Sequence, residues 1–438
     1  VGSEMCIRDR GVSAHAKHLY NLYVYFWRWA TWKVFGDVGA SGAPRRGIVC
    51  FITVAGFLNG PGFQKMRADL RETADEIWVV DCSPDGHQPA VNTRIFEGVQ
   101  QPVCIVMVSR SGAKTVPSQL ARVRYRALPL GDRAHKFAAL GAVALDDNGW
   151  TDCPGEARAP FLPALTGAWS AFPALDALFG WNGAGVMPGR TWVIAPDAES
   201  LRRRWETLVA EKDPVRKEML FHPHGSDGEL GDRHTGKVLA EGLPGHEHRG
   251  VSVSKDKAKV MEPTRYAFRS FDRQWIVPDN RLINRPNPTL WRLHSDRQVY
   301  LTAVNRTSPT TGPALTFAAM TPDLDHYCGR GGRVLPLWSD RDITTPNVRT
   351  AVLDALQAAY GAAVLADDVF AYIAAVAAHP AYTVRFAGDL VQPGLRIPLT
   401  ADADLFARAV AMGREVIWLH TFGERFADPA AGRPATPP

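Results

Sequence analysis

Apolar positions along the first hundred residues follow two alternating rhythms. Leu19, Leu22, Tyr23, Phe26, Trp27, Ala30 and Val34 recur at three- and four-residue intervals, which predicts a helix over 18–35. Residues 48–53 form an unbroken apolar run after a turn-rich connection, the pattern of a strand buried on both faces. A charged helix over 63–73 and a second apolar strand over 76–81 come next, and 92–96 leads through Gln100-Gln101-Pro102 into a third strand over 103–108. Helix, strand, helix, strand, strand is the order of an α/β sheet.

The texture changes near Val123. A short strand over 123–128 and a helix over 132–145 precede a Pro/Gly-rich stretch that runs to Trp192, and 197–213 reads as an Arg/Glu-rich helix. Residues 221–254 are rich in Gly and His, 266–297 in arginine and aromatics, and helices are expected at 347–359, 366–378 and 402–415. The tail, 429–438, has a disordered composition. Residues 1–10, Val1-Gly2-Ser3-Glu4-Met5-Cys6-Ile7-Arg8-Asp9-Arg10, resemble a translated sequencing adapter and are set aside as a non-native leader, so that genuine protein is expected from about Gly11, mid-gene.

Composition changes this picture little. A chain of 438 residues with 46% hydrophobic and 22% charged residues is ordinary soluble globular protein, long enough for two to four domains. No run approaches the roughly 18 apolar residues of a membrane span, and six cysteines without a C-x-x-C pair argue for reduced thiols in the cytoplasm. A net charge of +5, carried mostly by arginine, suits a nucleic-acid partner without demanding one. His222, His224, His234, His246 and His248 raise the question of a metal, but no cysteine joins them and a solvated loop is expected instead. Residues 183–189 are one residue too long for G-x-G-x-x-G and follow no strand, and no G-x-x-x-x-G-K-[ST] occurs, which excludes a dinucleotide site there and a P-loop motor.

The aromatic helix opening at Asn21-Leu22-Tyr23-Val24-Tyr25-Phe26, the strand Gly47-Ile48-Val49-Cys50-Phe51-Ile52-Thr53, and the following Phe57-Leu58 resemble the C-terminal half of the catalytic domain of gamma-class DNA adenine-N6 methyltransferases, whose last strands form a hairpin. The resemblance implies S-adenosyl-L-methionine as cofactor. It also implies a target-base stacking role for Phe96, within Ile95-Phe96-Glu97-Gly98-Val99-Gln100-Gln101, and a place for Phe26 near the cofactor's adenine ring; strand-end core and helix core are the alternative readings of these two rings. That family's Asn/Asp-Pro-Pro-Tyr/Phe tetrapeptide occurs nowhere in the chain, so no catalytic residue is assigned and the chain alone is expected to be inactive.

A second resemblance, to type ISP restriction–modification enzymes, rests on Tyr266-Ala267-Phe268-Arg269-Ser270-Phe271-Asp272-Arg273-Gln274-Trp275, Arg281-Leu282, Leu290-Trp291-Arg292, Gly185-Val186, Gly189-Arg190, and His379-Pro380-Ala381-Tyr382 with Arg396-Ile397-Pro398. It implies an α/β fold, a partial Rossmann-like methyltransferase sheet over 11–122, followed by a linking region over 123–262, a mixed α+β target-recognition domain over 263–426 and a disordered tail over 427–438. Double-stranded DNA is the implied partner, alongside helicase or nuclease regions of the same system. Arg269, Arg273, Arg281, Arg285 and Arg292 are the expected DNA contacts, since arginine forks match phosphate and guanine edges. The bland reading pairs about half of the arginines of this region with Asp272, Asp279 and Asp296, and takes His379 as a packed structural residue. The function expected is a fragment of a site-specific adenine-N6 methyltransferase; the alternative is a non-catalytic DNA-binding specificity module.

Overall fold

The computed structural model describes residues 21–36, 45–84, 94–99, 101–112, 119–163, 167–221, 235–248, 250–304, 309, 311–327, 332–390 and 394–435. The chain divides into two compact units, Val1–Thr166 and Gly167–Pro438. The expected linking region, 123–262, is therefore shared between them, and its boundaries at 122/123 and 262/263 do not coincide with the division.

In the first unit, α1 (Leu22–Phe35) turns Val24, Trp27, Ala30 and Phe35 inward. β1 (Gly47–Val54), α2 (Gln64–Thr73), β2 (Glu76–Asp81), β3 (Val103–Arg110), β4 (Arg122–Ala127), α3 (Arg133–Gly141) and β5 (Thr151–Asp152) follow. The five strands lie in the order β1-β3-β2-β4-β5. β3 runs antiparallel to both β1 and β2, so β1 and β2 point the same way, and β4 lies parallel to β2. β2 and β3, the second and third of the expected apolar strands, form an antiparallel pair. Val49, Phe57, Leu70, Ile77, Val79, Val106 and Val108 form the core with Trp27.

Two charges of α2 point inward. Arg67 and Arg71 are 2% and 0% exposed. Arg67 donates to the carbonyls of Phe57 and Gly60, each at 2.9 Å, and of Ala159 at 3.0 Å. Arg71 donates to Ala159 at 2.7 Å and Pro154 at 2.9 Å, and its guanidinium lies 4.6 Å from the Phe161 ring. Burying a guanidinium is costly unless its N–H groups find acceptors, and the chain around these two supplies several carbonyls.

The second unit comprises α4 (Gly167–Ala171), β6 (Gly183–Ala184), β7 (Ile194–Ala195), α5 (Ala198–Ala210), α6 (Pro214–Phe221), β8 (Thr264–Arg269), β9 (Asp272–Ile276), α7 (Pro288–Leu293), β10 (Tyr300–Val304), β11 (Leu315–Ala318), β12 (Gly332–Pro336), α8 (Thr350–Tyr360), α9 (Ala366–Ala377), α10 (Pro380–Arg385) and α11 (Ala403–His420). It holds a three-stranded sheet, β7-β9-β8, and a four-stranded one, β11-β10-β12-β6. Single bridges, Val186 to Asp323 and Ala267 to Pro322, stitch the two together. Asp197 and Asp402 start α5 and α11 by accepting from Ser200 N at 2.7 Å and Leu405 N at 2.9 Å. The last helix runs to His420, past the expected 415, because Ile417 and Trp418 keep its buried stripe going. Part of the expected disordered tail is ordered: Asp428 caps a turn over Pro429–Ala431, and Trp418 Nε1 donates to Pro434 O at 2.8 Å. Among the described residues no helix is long and apolar enough to cross a membrane.

α9 and α11 cross closely at Gly413, where an added Cβ would lie 1.7 Å from Ala371 O. Gly413→Ala should therefore force the helices apart and destabilise the protein by about 1–3 kcal/mol. Urea unfolding followed by circular dichroism measures this, and an unchanged midpoint would contradict so close a crossing.

Candidate nucleic-acid interface

The arginine- and aromatic-rich segment folds as the β8–β9 hairpin and the α7 region. In β8, Tyr266 and Ala267 turn inward while Arg265 and Arg269 turn outward. Tyr266 is fully buried and donates to Asp323 Oδ2 at 2.6 Å, and Asp323 Oδ1 accepts from Arg269 Nη1 at 2.8 Å. Burial pushes the Asp323 carboxyl up and the Tyr266 hydroxyl well up. On the neighbouring strand Arg273 Nη1 lies 2.5 Å from Glu424 Oε1, which Arg265 Nη1 also reaches at 2.8 Å, and the Arg273 guanidinium stacks 3.9 Å from the Phe422 ring. Arg269 and Arg273 keep 42% and 29% of their side-chain surface exposed.

Three phenylalanines in this neighbourhood have left-handed backbones: Phe271 at the hairpin turn (φ 63°), and Phe422 and Phe426 (both φ 55°) flanking Glu424. Such strain in a non-glycine residue persists only where surrounding contacts over-determine it. Here the Glu424 ion pairs do so, together with Arg425, which donates to Gln298 O at 2.8 Å and Ala319 O at 2.9 Å. Phe271 remains 54% exposed, with its ring edge-on to His420 at 5.1 Å.

Arg281 requires a correction. It is 2% exposed and sealed against two carboxylates, Asp279 at 2.6 Å and Asp256 at 3.0 Å, with Val251 O accepting at 2.7 Å. A guanidinium so enclosed cannot reach a phosphate. Arg285 and Arg292 are the opposite case. Both are exposed, and neither has an ion pair among the described residues. Reciprocal backbone hydrogen bonds to Met187, both 2.9 Å, fix Arg285, while Leu290, Trp291 and Leu293 anchor α7 and leave Arg292 outward. Trp291 Nε1 donates to Pro286 O at 2.7 Å and its ring meets His246 edge-on at 5.3 Å.

Of the anticipated internal partners, Asp279 is used, whereas Arg269, Arg265 and Arg273 choose Asp323 and Glu424. Those two acids stand 54 and 151 residues along the chain from Arg269 and Arg273, so no local pattern could have named them. His379 is not packed inside; it is an exposed cap whose Nδ1 accepts from Ala381 N at 3.0 Å. His248 Nε2 lies 2.7 Å from Asn280 Oδ1; His222, His224 and His234 lie outside the described residues.

In the first unit, Phe96 is 38% exposed on a turn whose neighbour, Ile95, is buried with Val80, Cys82 and Val103. Glu97 beside it pairs with Arg133 at 3.9 Å. Phe26 is 57% exposed, and Trp27 takes the inward place, 4.9 Å from Phe51. Neither ring is a core residue.

His294, which meets Tyr300, and His326 and His420, which lie beside the hairpin, are largely enclosed. Burial pulls all three down to about 4, assisted at His294 by Arg425 and at His326 by Arg269. Each is therefore neutral in the folded protein while its unfolded counterpart titrates near 6.5. Their stabilisation is complete above about pH 6.5 and is lost as pH falls toward 4, by up to about 3 kcal/mol each. Asp323, shifted upward, partly offsets this. Urea midpoints should fall between pH 7 and 5, and His420→Phe should flatten that dependence; an identical slope would remove His420 from the account.

Residues 177–438 match the model of the Type ISP C-terminal specificity domain. No curated protein matches the chain in sequence. Among solved structures it resembles DrdV in a DNA complex (20% identity, TM-score 0.62, covering 93% of this chain and 40% of that one). It also resembles the ATP-dependent Type ISP restriction-modification enzyme LlaBIII bound to DNA (17%, 0.60, 92% and 26%). A third similarity is to a nuclease-deletion mutant of the Type ISP restriction-modification enzyme LlaGI with a DNA substrate mimic (15%, 0.58, 92% and 31%). The chain spans less than half the length of each.

Proposed function

The chain belongs to the Type ISP C-terminal specificity domain family, and on that footing we propose that its second unit reads a target sequence in duplex DNA while its first unit supplies the last strands of an adenine-N6 methyltransferase sheet. The observation that carries the reading is the family match over 177–438, almost the whole of the unit that begins at Gly167. Similar solved structures in complex with DNA support it. For the first unit, support comes from β3 lying antiparallel between two mutually parallel strands, an antiparallel pairing like that of the hairpin that the methyltransferase resemblance calls for.

In this reading Arg285 and Arg292 are the principal DNA contacts, because their forks are uncommitted. Arg269 and Arg273 present only the N–H groups left over from Asp323 and Glu424. Arginine contacts to phosphate position the protein, and bidentate contacts to guanine edges specify sequence. The amine to be methylated is out of reach inside a duplex, so the adenine must be extruded and held by stacking. Phe96 is an exposed ring suited to that. S-adenosyl-L-methionine would supply the methyl group, and Phe26, an exposed ring, is the residue that the resemblance assigns to lie against its adenine. The Asn/Asp-Pro-Pro-Tyr/Phe tetrapeptide is not among these 438 residues, so methyl transfer is assigned to the larger enzyme, with a purely DNA-binding specificity module as the alternative. Methylation of DNA by the chain together with the segment carrying that tetrapeptide separates the two.

Arg285→Ala with Arg292→Ala should weaken DNA binding and lower the slope of log affinity against log salt by about 0.9 per phosphate contact removed, with no change in melting. Arg281→Ala should instead cost about 3–5 kcal/mol of stability, since it strands two buried carboxylates. A double variant that keeps both affinity and salt slope would defeat the interface assignment.

Phe96→Ala should leave the melting temperature nearly unchanged, the ring being exposed. In the active enzyme it should lower methylation by the ~1–3 kcal/mol of a lost base stack, roughly one to two orders of magnitude. Phe96→Trp should retain more activity; equal losses for both variants would argue against stacking.

A further inference from the structure

α11 carries two apolar stripes side by side. Phe406, Val410, Gly413 and Ile417 recur at alternating four- and three-residue intervals and are buried, with Gly413 lying against Ala371 of α9. Leu405, Ala409, Met412, Val416 and Leu419 repeat the same alternation, the a and d spacing of a helix that packs on another helix. This second stripe is open. Leu405, Met412 and Leu419 are 44%, 60% and 46% exposed, and Ala409 and Val416 are half-buried along its inner margin. A helix apolar on two sides is built to pack twice, and α9 accounts for one side only.

The charges beside the open stripe indicate what packs there. Arg408 and Glu415 share one heptad position, g, and both are exposed. Neither has an ion pair among the described residues, whereas the neighbouring Arg414 is taken by Asp368 at 2.7 Å. Seven residues span about 10.5 Å of helix, too far for Arg408 and Glu415 to pair with each other. Charges at e and g set partner and orientation. When the helix lies antiparallel to a copy of itself, a positions meet d positions and g meets g. Setting Ala409 against Met412 of the copy sets Leu405 against Val416, and the same register brings Arg408 to Glu415, twice by symmetry. A slide of one heptad would instead oppose Glu415 to Glu415 or Arg408 to Arg408. A parallel pair would turn both charges toward the e positions, which Phe406 and Gly413 occupy.

We propose that this face of α11 is a self-association surface, on which a second copy of the chain pairs through its own α11, antiparallel, with two Arg408–Glu415 ion pairs flanking the seam. Four core layers make a short seam, smaller than the roughly 800 Å² a side of a standard stable interface, so the dimer forms and dissolves with concentration. Nothing in this inference rests on the function proposed above. The test is sedimentation velocity of the full chain from low micromolar to submillimolar concentration. The sedimentation coefficient should rise with concentration toward that of a dimer, and less steeply at high salt. Met412→Lys, at an exposed position, should keep the melting temperature and hold the chain monomeric. Arg408→Glu alone, or Glu415→Arg alone, turns two attractions into two like-charge contacts and should weaken the dimer by about tenfold. The two substitutions together exchange the charges and should restore it. A chain that is monomeric at every concentration overturns the proposal, as does a dimer that survives Met412→Lys or one that the exchanged pair fails to restore.

Discussion

A guanidinium has five N–H donors, and each one taken out of water costs free energy unless it finds an acceptor. Both units depend on meeting that demand. In the first, Arg67 and Arg71 gather the carbonyls of 154–160 around α2, which ties the return of the chain to the sheet; Phe161 N completes the clasp by donating to Leu58 O at 2.7 Å. In the second, Arg281 holds two carboxylates and a carbonyl, Arg425 holds Gln298 and Ala319, and Arg396 donates to Phe172 O at 2.5 Å. Uncharged side chains do similar work where an amide suffices. Asn347 donates to Trp181 O and Pro336 O, both at 2.8 Å, and accepts from Trp181 N at 2.8 Å.

This constraint sorts the arginines by role. A fork closed on buried acceptors cannot also hold a phosphate, so the positive charge available to a polyanion is what remains after the interior is satisfied. Arg281 lies wholly on the internal side, Arg269 and Arg273 are divided, and Arg285 and Arg292 face outward on a backbone pinned by Met187 and Trp291. Formal net charge of +5 is therefore a poor guide to the interface; the distribution of unpaired forks is a better one.

The same reasoning applies to apolar surface. Phe26, Trp29 and Trp32 follow the helical period as faithfully as Val24 and Trp27, yet only the latter pair is buried. A helix with apolar residues around most of its circumference is one that packs on more than one side, and α1 has one of its sides open.

Much of the fold was legible from periodicity. β2 and α9 fall within a residue of the expected spans, and β1, β3 and α1 within a few, because each carries an apolar pattern that only one secondary structure can bury. Phe57 and Leu58, which follow β1 and belong to the motif that carries the resemblance, are buried. What local pattern could not decide was partnership. β10, β11 and β12 are short strands separated by loops, and nothing within them names β6 as a neighbour. Nor does any spacing join Arg269 to Asp323, Arg273 to Glu424, or Arg281 to Asp256; those pairs exist because the chain returns there in three dimensions. The sequence by itself thus determined the elements and where arginines and aromatic residues cluster. The tertiary structure decided which arginines are closed and which are open, because a charge is committed by whatever acceptors surround it, and those come from distant segments.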